Sequence, residues 1–216
     1  MPIEAPPTKQ LAKKLTKGEE TASRIMDAAE DLFARHGYDG TSLRQIASAA
    51  NIQQPGLYNH FSGKQGLYKA VLHRALNPMA GALAQHLNRA SGLHDYTDLP
   101  SLMTDLLLQH PQIAALFQQA MQGDSESVGN RLVRSWLDKL FTQGVTSLAN
   151  ANSPTGDEVD QATLAINVIA MFNITTGYFL AQPAFDSMAE GDLQAPENIE
   201  RQKRLLRRVM QAMLIS

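Results

Sequence analysis

The stretch TSLRQIASAANIQQPGLYNHFSGK, residues 41–64, constrains this chain more than any other. Leu43, Ile46 and Ala47 form an apolar stripe at helical spacing, and Thr41 before them carries a hydroxyl able to accept from an unpaired helix N–H. Asn51 follows Ala50 where the backbone must turn. Asn tolerates the left-handed conformation that ends many helices. Ile52 is an apolar pin after the turn. Pro55 falls in the first turn of a second helix, where a missing N–H costs little. Leu57, Tyr58 and Phe61 continue the apolar spacing. The pattern predicts a helix-turn-helix whose second helix carries Gln53, Gln54, Asn59 and His60, side chains that reach base edges and phosphates.

The flanking sequence reads as helix throughout. Ala22, Ile25, Met26, Ala29, Leu32 and Phe33 predict a helix over 19–36, ended by Gly37. It should pack across the motif and complete a three-helix domain. A longer helix is expected from Lys64 to about Leu87, but Pro78 lacks an N–H and restrains Asn77, so a kink or break is expected near Asn77. Residues 88–98 read as a polar loop. Further helices are expected at 99–109, 111–122, 127–149, 157–182 (roughly 40 Å at 1.5 Å per residue) and 196–214, with a loop at 183–195. No strand pattern or repeat interrupts them. The expectation is an all-α chain: a flexible basic tail over 1–18, a helix-turn-helix domain over 19–75 and a helical bundle over 76–216.

Charge is distributed to match. Residues 1–75 hold ten Lys or Arg against seven Asp or Glu, a net of +3. Residues 76–216 hold nine against fourteen, a net of −5. A basic front suits a polyanion and an acidic back does not. The chain has no cysteine, which removes disulfides, thiolate catalysis and cysteine zinc sites and fits a reducing, cytoplasmic compartment. His86, His94 and His110 lack metal-ligand spacing with any second ligand, so no metal is expected. There is no nucleophile–base pair and no phosphate loop, so neither an enzyme nor a cofactor is expected. Residues 161–185 carry no charge, but Thr163, Asn167, Asn173, Thr175 and Thr176 interrupt them. A helix buried on both faces is expected there, not a membrane span.

Residues 20–75 resemble the TetR family of bacterial transcriptional regulators. The resemblance rests on His36-Gly37-Tyr38, Thr41-Ser42, Ile46-Ala47, Leu57-Tyr58, His60-Phe61, Lys64 and Leu67-Tyr68. It implies a homodimer on a double-stranded operator, with repression relieved by a small molecule. It also implies DNA contacts at Thr41, Ser42, Arg44, Gln54, Pro55, Tyr58, His60 and Lys64. Tyr58, His60 and Lys64 would hold phosphates, and Arg44 and Gln54, with Gln53 and Asn59, would read bases. Three positions depart from the family pattern. Asn51 replaces the usual turn glycine, Gln53 replaces a small capping residue, and Gly56 stands where Thr, Ser or Ala is common.

In the back half, residues 157–182 carry two apolar stripes, so one face should meet the chain's own domain and the other a partner. The family implies dimerisation through the last two long helices. Leu164, Val168, Met171 and Tyr178 on one, with Leu206, Val209, Met210 and Met213 on the other, are the expected interface. Met103, Phe117, Met121, Trp136, Phe141, Asn167 and Phe172 are candidate pocket residues for an unknown, largely apolar effector, or plain core. A break at Pro78 would divide the connecting helix into a DNA-side and a ligand-side part and let the recognition helices separate. The alternative is a helical small-molecule-binding protein that activates transcription or no longer binds DNA.

Overall fold

The computed structural model describes residues 16–89, 93–122, 126–152, 160–189 and 191–215. Ten α-helices and one 3-10 turn account for the secondary structure among them, and no strand occurs. They are α1 (Lys17–His36), α2 (Leu43–Ala49), α3 (Gln54–Leu57), α4 (Lys64–Arg89), α5 (Leu99–Gln109), α6 (Gln112–Gln122), α7 (Val128–Asn152), α8 (Gln161–Tyr178), α9 (Gln182–Asp186) and α10 (Pro196–Ile215).

Helix α1 opens on a capping box. The Thr16 hydroxyl accepts from the Glu19 N–H at 3.3 Å, and the Glu19 carboxylate accepts from the Thr16 N–H at 2.7 Å. The last three residues of the expected tail, 16–18, therefore belong to this helix start. Residues 1–15, the rest of that tail, lie outside the described residues. Gly37 ends α1 at φ +71°.

Helices α1, α2 and α3 enclose Ile25, Ala29, Phe33, Ile46 and Leu57, all fully buried. This core is not separate. It continues without interruption through Leu67, Val71, Met79, Leu107 and Phe117 to Phe172 and Phe179. Residue 75, the expected limit of the first domain, falls inside α4, whose apolar face serves both halves. The bundle helices α5–α8 and α10 surround the rest of the core. Lys203 on α10 pairs with Asp105 on α5, and Arg207 reaches Asp98 at 3.6 Å, fastening the last helix across the bundle.

Three expectations are corrected. Helix α4 does not break at Pro78; it runs 26 residues through it. The proline is exposed, on the solvent side of the helix. Leu72, Ala75, Leu76 and Met79 are buried on either side of it, and this packing outweighs the local penalty of about 3 kcal/mol. Residues 93–96, expected in a loop, form the 3-10 turn. Tyr96 is buried there, its hydroxyl donating to the Ser147 carbonyl at 3.0 Å. Finally, α8 starts at Gln161 and stops at Tyr178, with α9 following in what was expected to be helix end and loop. Its 18 residues span about 27 Å.

Candidate nucleic-acid interface and effector cavity

The motif is assembled by local hydrogen bonds that differ in one respect from expectation. Ser42, not Thr41, caps α2. Its hydroxyl accepts from the Gln45 N–H at 3.2 Å, and the Gln45 amide oxygen accepts from the Ser42 N–H at 2.8 Å. Thr41 is 2% exposed and turned inward, its hydroxyl hydrogen-bonded to the Gly37 carbonyl at 2.8 Å and the Leu32 carbonyl at 3.1 Å. It ties the motif to the end of α1, and its side chain is not offered to DNA. Gly40 permits this turn, because a Cβ there would lie 2.3 Å from the His36 carbonyl oxygen.

The turn after α2 matches the sequence reading. Asn51 has φ +54°, the only positive φ of a non-glycine among the described residues. The Ile52 N–H donates to the Ala47 carbonyl at 3.0 Å and the Asn51 N–H to the Ser48 carbonyl at 3.1 Å, the two bonds of a Schellman motif. Helix α3 is short. Gln53 precedes it without making a side-chain cap, and Pro55 sits in its first turn. Only Leu57 of α3 is buried.

Around that anchor Arg44, Gln53, Gln54, Pro55, Asn59 and His60 are exposed, and Tyr58 is 56% exposed. Tyr58 carries an aromatic ring largely in water, which is a cost the fold does not require. Neither its hydroxyl nor the Arg44 guanidinium has a partner among the described residues. Lys64 differs from these. Its ammonium lies 4.6 Å from the Tyr38 ring centroid and donates to the Asp39 carbonyl at 3.3 Å. It clamps the loop after α1 and has further N–H donors to spare. Beneath it Phe33, Tyr38 and Tyr68 pack with centroids 4.8–6.0 Å apart. Burial pushes the Tyr68 phenol well above its ordinary range, so this cluster stays neutral.

A cavity of about 280 Å³ opens among α4, α5, α7, α8 and α10. Of the candidate pocket residues, Met103, Phe141, Asn167 and Phe172 line it. Three other candidates do not. Phe117 is fully buried core, stacked at 5.4 Å on Trp136 and 5.2 Å from Phe172. Trp136 lines a separate cavity of about 220 Å³ beside Lys69 and Lys139. Met121 is 38% exposed. Asn167 is half-buried with no hydrogen-bond partner among the described residues, whereas the Thr175 hydroxyl donates to the Met171 carbonyl at 2.8 Å. Leu83, Leu87, Leu140 and Gly144 also face the space and were not foreseen. Gly144, set in an apolar helix run, was the available signal.

The expected dimer residues lie mostly inside the chain. Leu164, Val168, Met171, Met210 and Met213 line the cavity. Leu206 is fully buried and packs with Met171, Met210 and Val209, holding α8 to α10. The Tyr178 hydroxyl donates to the Leu193 carbonyl. The apolar residues facing outward are others: Ile166 at 65% exposure, Ile169, Ile174 and, on α10, Leu205.

Among the described residues no group of three or more His, Asp or Glu is placed to hold a metal, and no helix is long and apolar enough to cross a membrane. His86 binds the Asp95 carbonyl at 2.8 Å, and the His94 side chain lies outside the described residues.

A capped helix, a Schellman turn, a short second helix with an uncovered polar row and an all-helical bundle behind it define a helix-turn-helix DNA-binding protein. Residues 25–71 match the model for bacterial regulatory proteins of the tetR family. That stretch is a tetR-family DNA-binding domain, and the chain is a DNA-binding transcriptional regulator. It is 25% identical over 134 residues to the transcriptional regulator UidR of Escherichia coli (strain K12), covering 54% of this chain and 67% of UidR. It is 28% identical over 170 residues to the transcriptional regulator YvkB of Bacillus subtilis (strain 168), covering 74% and 82%. The fold matches the transcriptional regulator FadR from Bacillus subtilis in complex with stearoyl-CoA at a TM-score of 0.63 and 13% identity, covering 87% of this chain and 96% of that one.

Proposed function

We propose that this chain is a cytoplasmic homodimeric repressor, released from its operator when an apolar effector fills the cavity of the bundle. Residues 19–75 would serve DNA and residues 76–216 the effector and the partner. The observation that carries the reading is the cavity. It is walled by Leu, Met and Phe side chains, and the half-buried amide of Asn167 is the one polar side chain at its wall that is at least half-buried and lacks a partner. Such a site suits a hydrocarbon chain or ring bearing a single hydrogen-bonding group. FadR of Bacillus subtilis, a protein of the same fold, was solved with stearoyl-CoA, whose stearoyl chain is apolar in the same way.

Two recognition heads are needed because successive major grooves lie about 34 Å apart on one face of the duplex. Ile166, Ile169 and Ile174 on α8, with Leu205 on α10, are apolar side chains that the other described residues leave exposed, and a second copy would cover them. On the DNA, Arg44, Gln53, Gln54 and Asn59 would read bases. Ser42, Tyr58, His60 and Lys64 would set the register on phosphates, with the Pro55 ring packed against the duplex.

The test is a mobility shift on a duplex selected by the protein from a random library, with and without dodecanoate and dodecanoyl-CoA. The expected result is a complex that weakens with salt, and that either probe dissociates. Arg44→Ala and His60→Ala should each weaken it several-fold without lowering the melting temperature. A complex indifferent to both probes would overturn the effector reading, and no complex at all would favour the DNA-free alternative.

A further inference from the structure

Glu30 lies on α1 with 5% of its surface exposed. A carboxylate so placed must be paired, and it is, twice and from two directions. One oxygen accepts from Arg74 Nη2 on α4 at 2.6 Å. The other meets Nδ1 of His110 at 3.1 Å, where α5 ends and α6 is about to begin. A carboxylate only accepts, so that ring nitrogen carries the proton. Arg74 also binds Asp27 at 2.6 Å through Nη1, while its Nε is buried without an acceptor.

The two partners lead to the same place. Further along α4, Leu83 and Leu87 line the cavity, and earlier on α5, Met103 does. Helix α6 adds a parallel link. Phe117 on it touches Phe172 of the cavity wall, and Gln119 donates to the Ala34 carbonyl of α1 at 2.6 Å.

We infer that Glu30 is the positioning residue through which the contents of the cavity set the orientation of the DNA-binding helices. Two of the elements that carry cavity walls toward the head, α4 and α5, meet at its carboxylate. If they move apart, one bond breaks and leaves a buried charge half-paired, so α1 is driven to follow. The inference rests on the cavity being an effector site.

The chain has one tryptophan, Trp136 in the bundle, and no cysteine. A Ser62→Cys substitution, at an exposed turn after α3, places one fluorescent acceptor on the head. Energy transfer from Trp136, from donor lifetimes with and without acceptor, then reports how the head sits on the bundle, with no need of operator or partner. The cavity is filled in two ways, by dodecanoate and by Gly144→Met, which carries its own side chain into the space.

Gly144→Met should shift the transfer efficiency in the parent. The shift should fall at least twofold in Glu30→Gln and in His110→Leu, and return in His110→Gln, whose amide can still donate. Equal shifts in all backgrounds, or none in the parent, overturn the inference. Lowered melting temperatures with undiminished shifts also overturn it, because they make Glu30 a mere structural anchor. If dodecanoate does nothing but the Gly144→Met shift depends on Glu30, the inference stands and the apolar-effector reading falls. If dodecanoate shifts every background alike, the reverse holds.

Discussion

Residues 42–60 and helix α8 make opposite uses of side chains the fold leaves unsatisfied. In the motif the unsatisfied groups point outward: Arg44, Gln54, Tyr58 and Asn59 stand in water around one buried leucine, Leu57. In α8 they point inward, where Leu164, Val168, Met171 and Phe172 face a space their neighbours do not fill. A surface row is complementary to something large and rigid; an unfilled interior is complementary to something small. The chain is built to meet two partners of different scale, and the fully buried residues between them keep the two surfaces in one body.

The contrast predicts that packing changes cost most where the two regions share a core. Phe117→Ala removes a fully buried ring that touches both Trp136 and Phe172. It should destabilise the chain by about 3–5 kcal/mol in urea unfolding followed by circular dichroism. A cost below about 1 kcal/mol would mean that the cavity collapses to refill the gap, and that the bundle is softer than its packing indicates.

Pro78→Ala should move stability the other way. Alanine restores a backbone bond within α4 and relieves the ring's crowding, worth about 3 kcal/mol, against about 0.4–1 kcal/mol lost by loosening the unfolded chain. A net gain of about 2 kcal/mol is expected, with operator release unchanged, since α4 runs unbroken through residue 78. A loss of release with gained stability would restore the proline to a mechanical role.

The next pair of variants separates two neighbouring hydroxyls. Thr41→Val leaves the Gly37 and Leu32 carbonyls without their donor and should cost about 1–2 kcal/mol, with no change in the salt dependence of DNA binding. Ser42→Ala loses the cap of α2 and should cost about 1 kcal/mol. If Thr41→Val weakened DNA binding at undiminished stability, the DNA contact implied by the family resemblance would be real after all.

That pair also marks how far the sequence could be read. The motif was legible because its signals are local. The positive φ of Asn51 and the place of Pro55 follow from residue type within a few positions. Helices α5, α6 and α10 appear within one residue of their expected ends for the same reason. The exchange of roles between Thr41 and Ser42 was not legible, since both residues can cap and only the approach of α1 decides which is buried. Pro78 did not break α4 because burial on its far side outweighs a local penalty. The inward turn of Leu164, Met171 and Met210 failed because α8 is apolar nearly all round, so its period does not say which face meets a partner. A cavity is a place without atoms, and it leaves no spacing in a sequence. Glu30 and His110 lie eighty positions apart, and nothing near either names the other.

The smallest effect expected lies at the mouth of that cavity. Asp160 caps α8 and also lines the opening. The Thr163 hydroxyl, then the Ala162 and Thr163 N–H groups, hold its carboxyl below the ordinary Asp range. A carboxyl depressed on folding lends stability that is present above its unfolded value, about pH 4, and is lost as pH falls through the lower folded value. The residue is exposed, so the contribution is small and should shrink further in salt. Thermal melts of the parent between pH 5 and pH 3 should therefore decline more steeply than those of Asp160→Asn, whose amide still caps but does not titrate in that window. The difference should appear in the unfolding of α8 and leave residues 42–60 untouched, as amide exchange can resolve segment by segment. Equal pH slopes in the two proteins would mean that the cap contributes geometry alone, and that the mouth of the cavity is indifferent to charge.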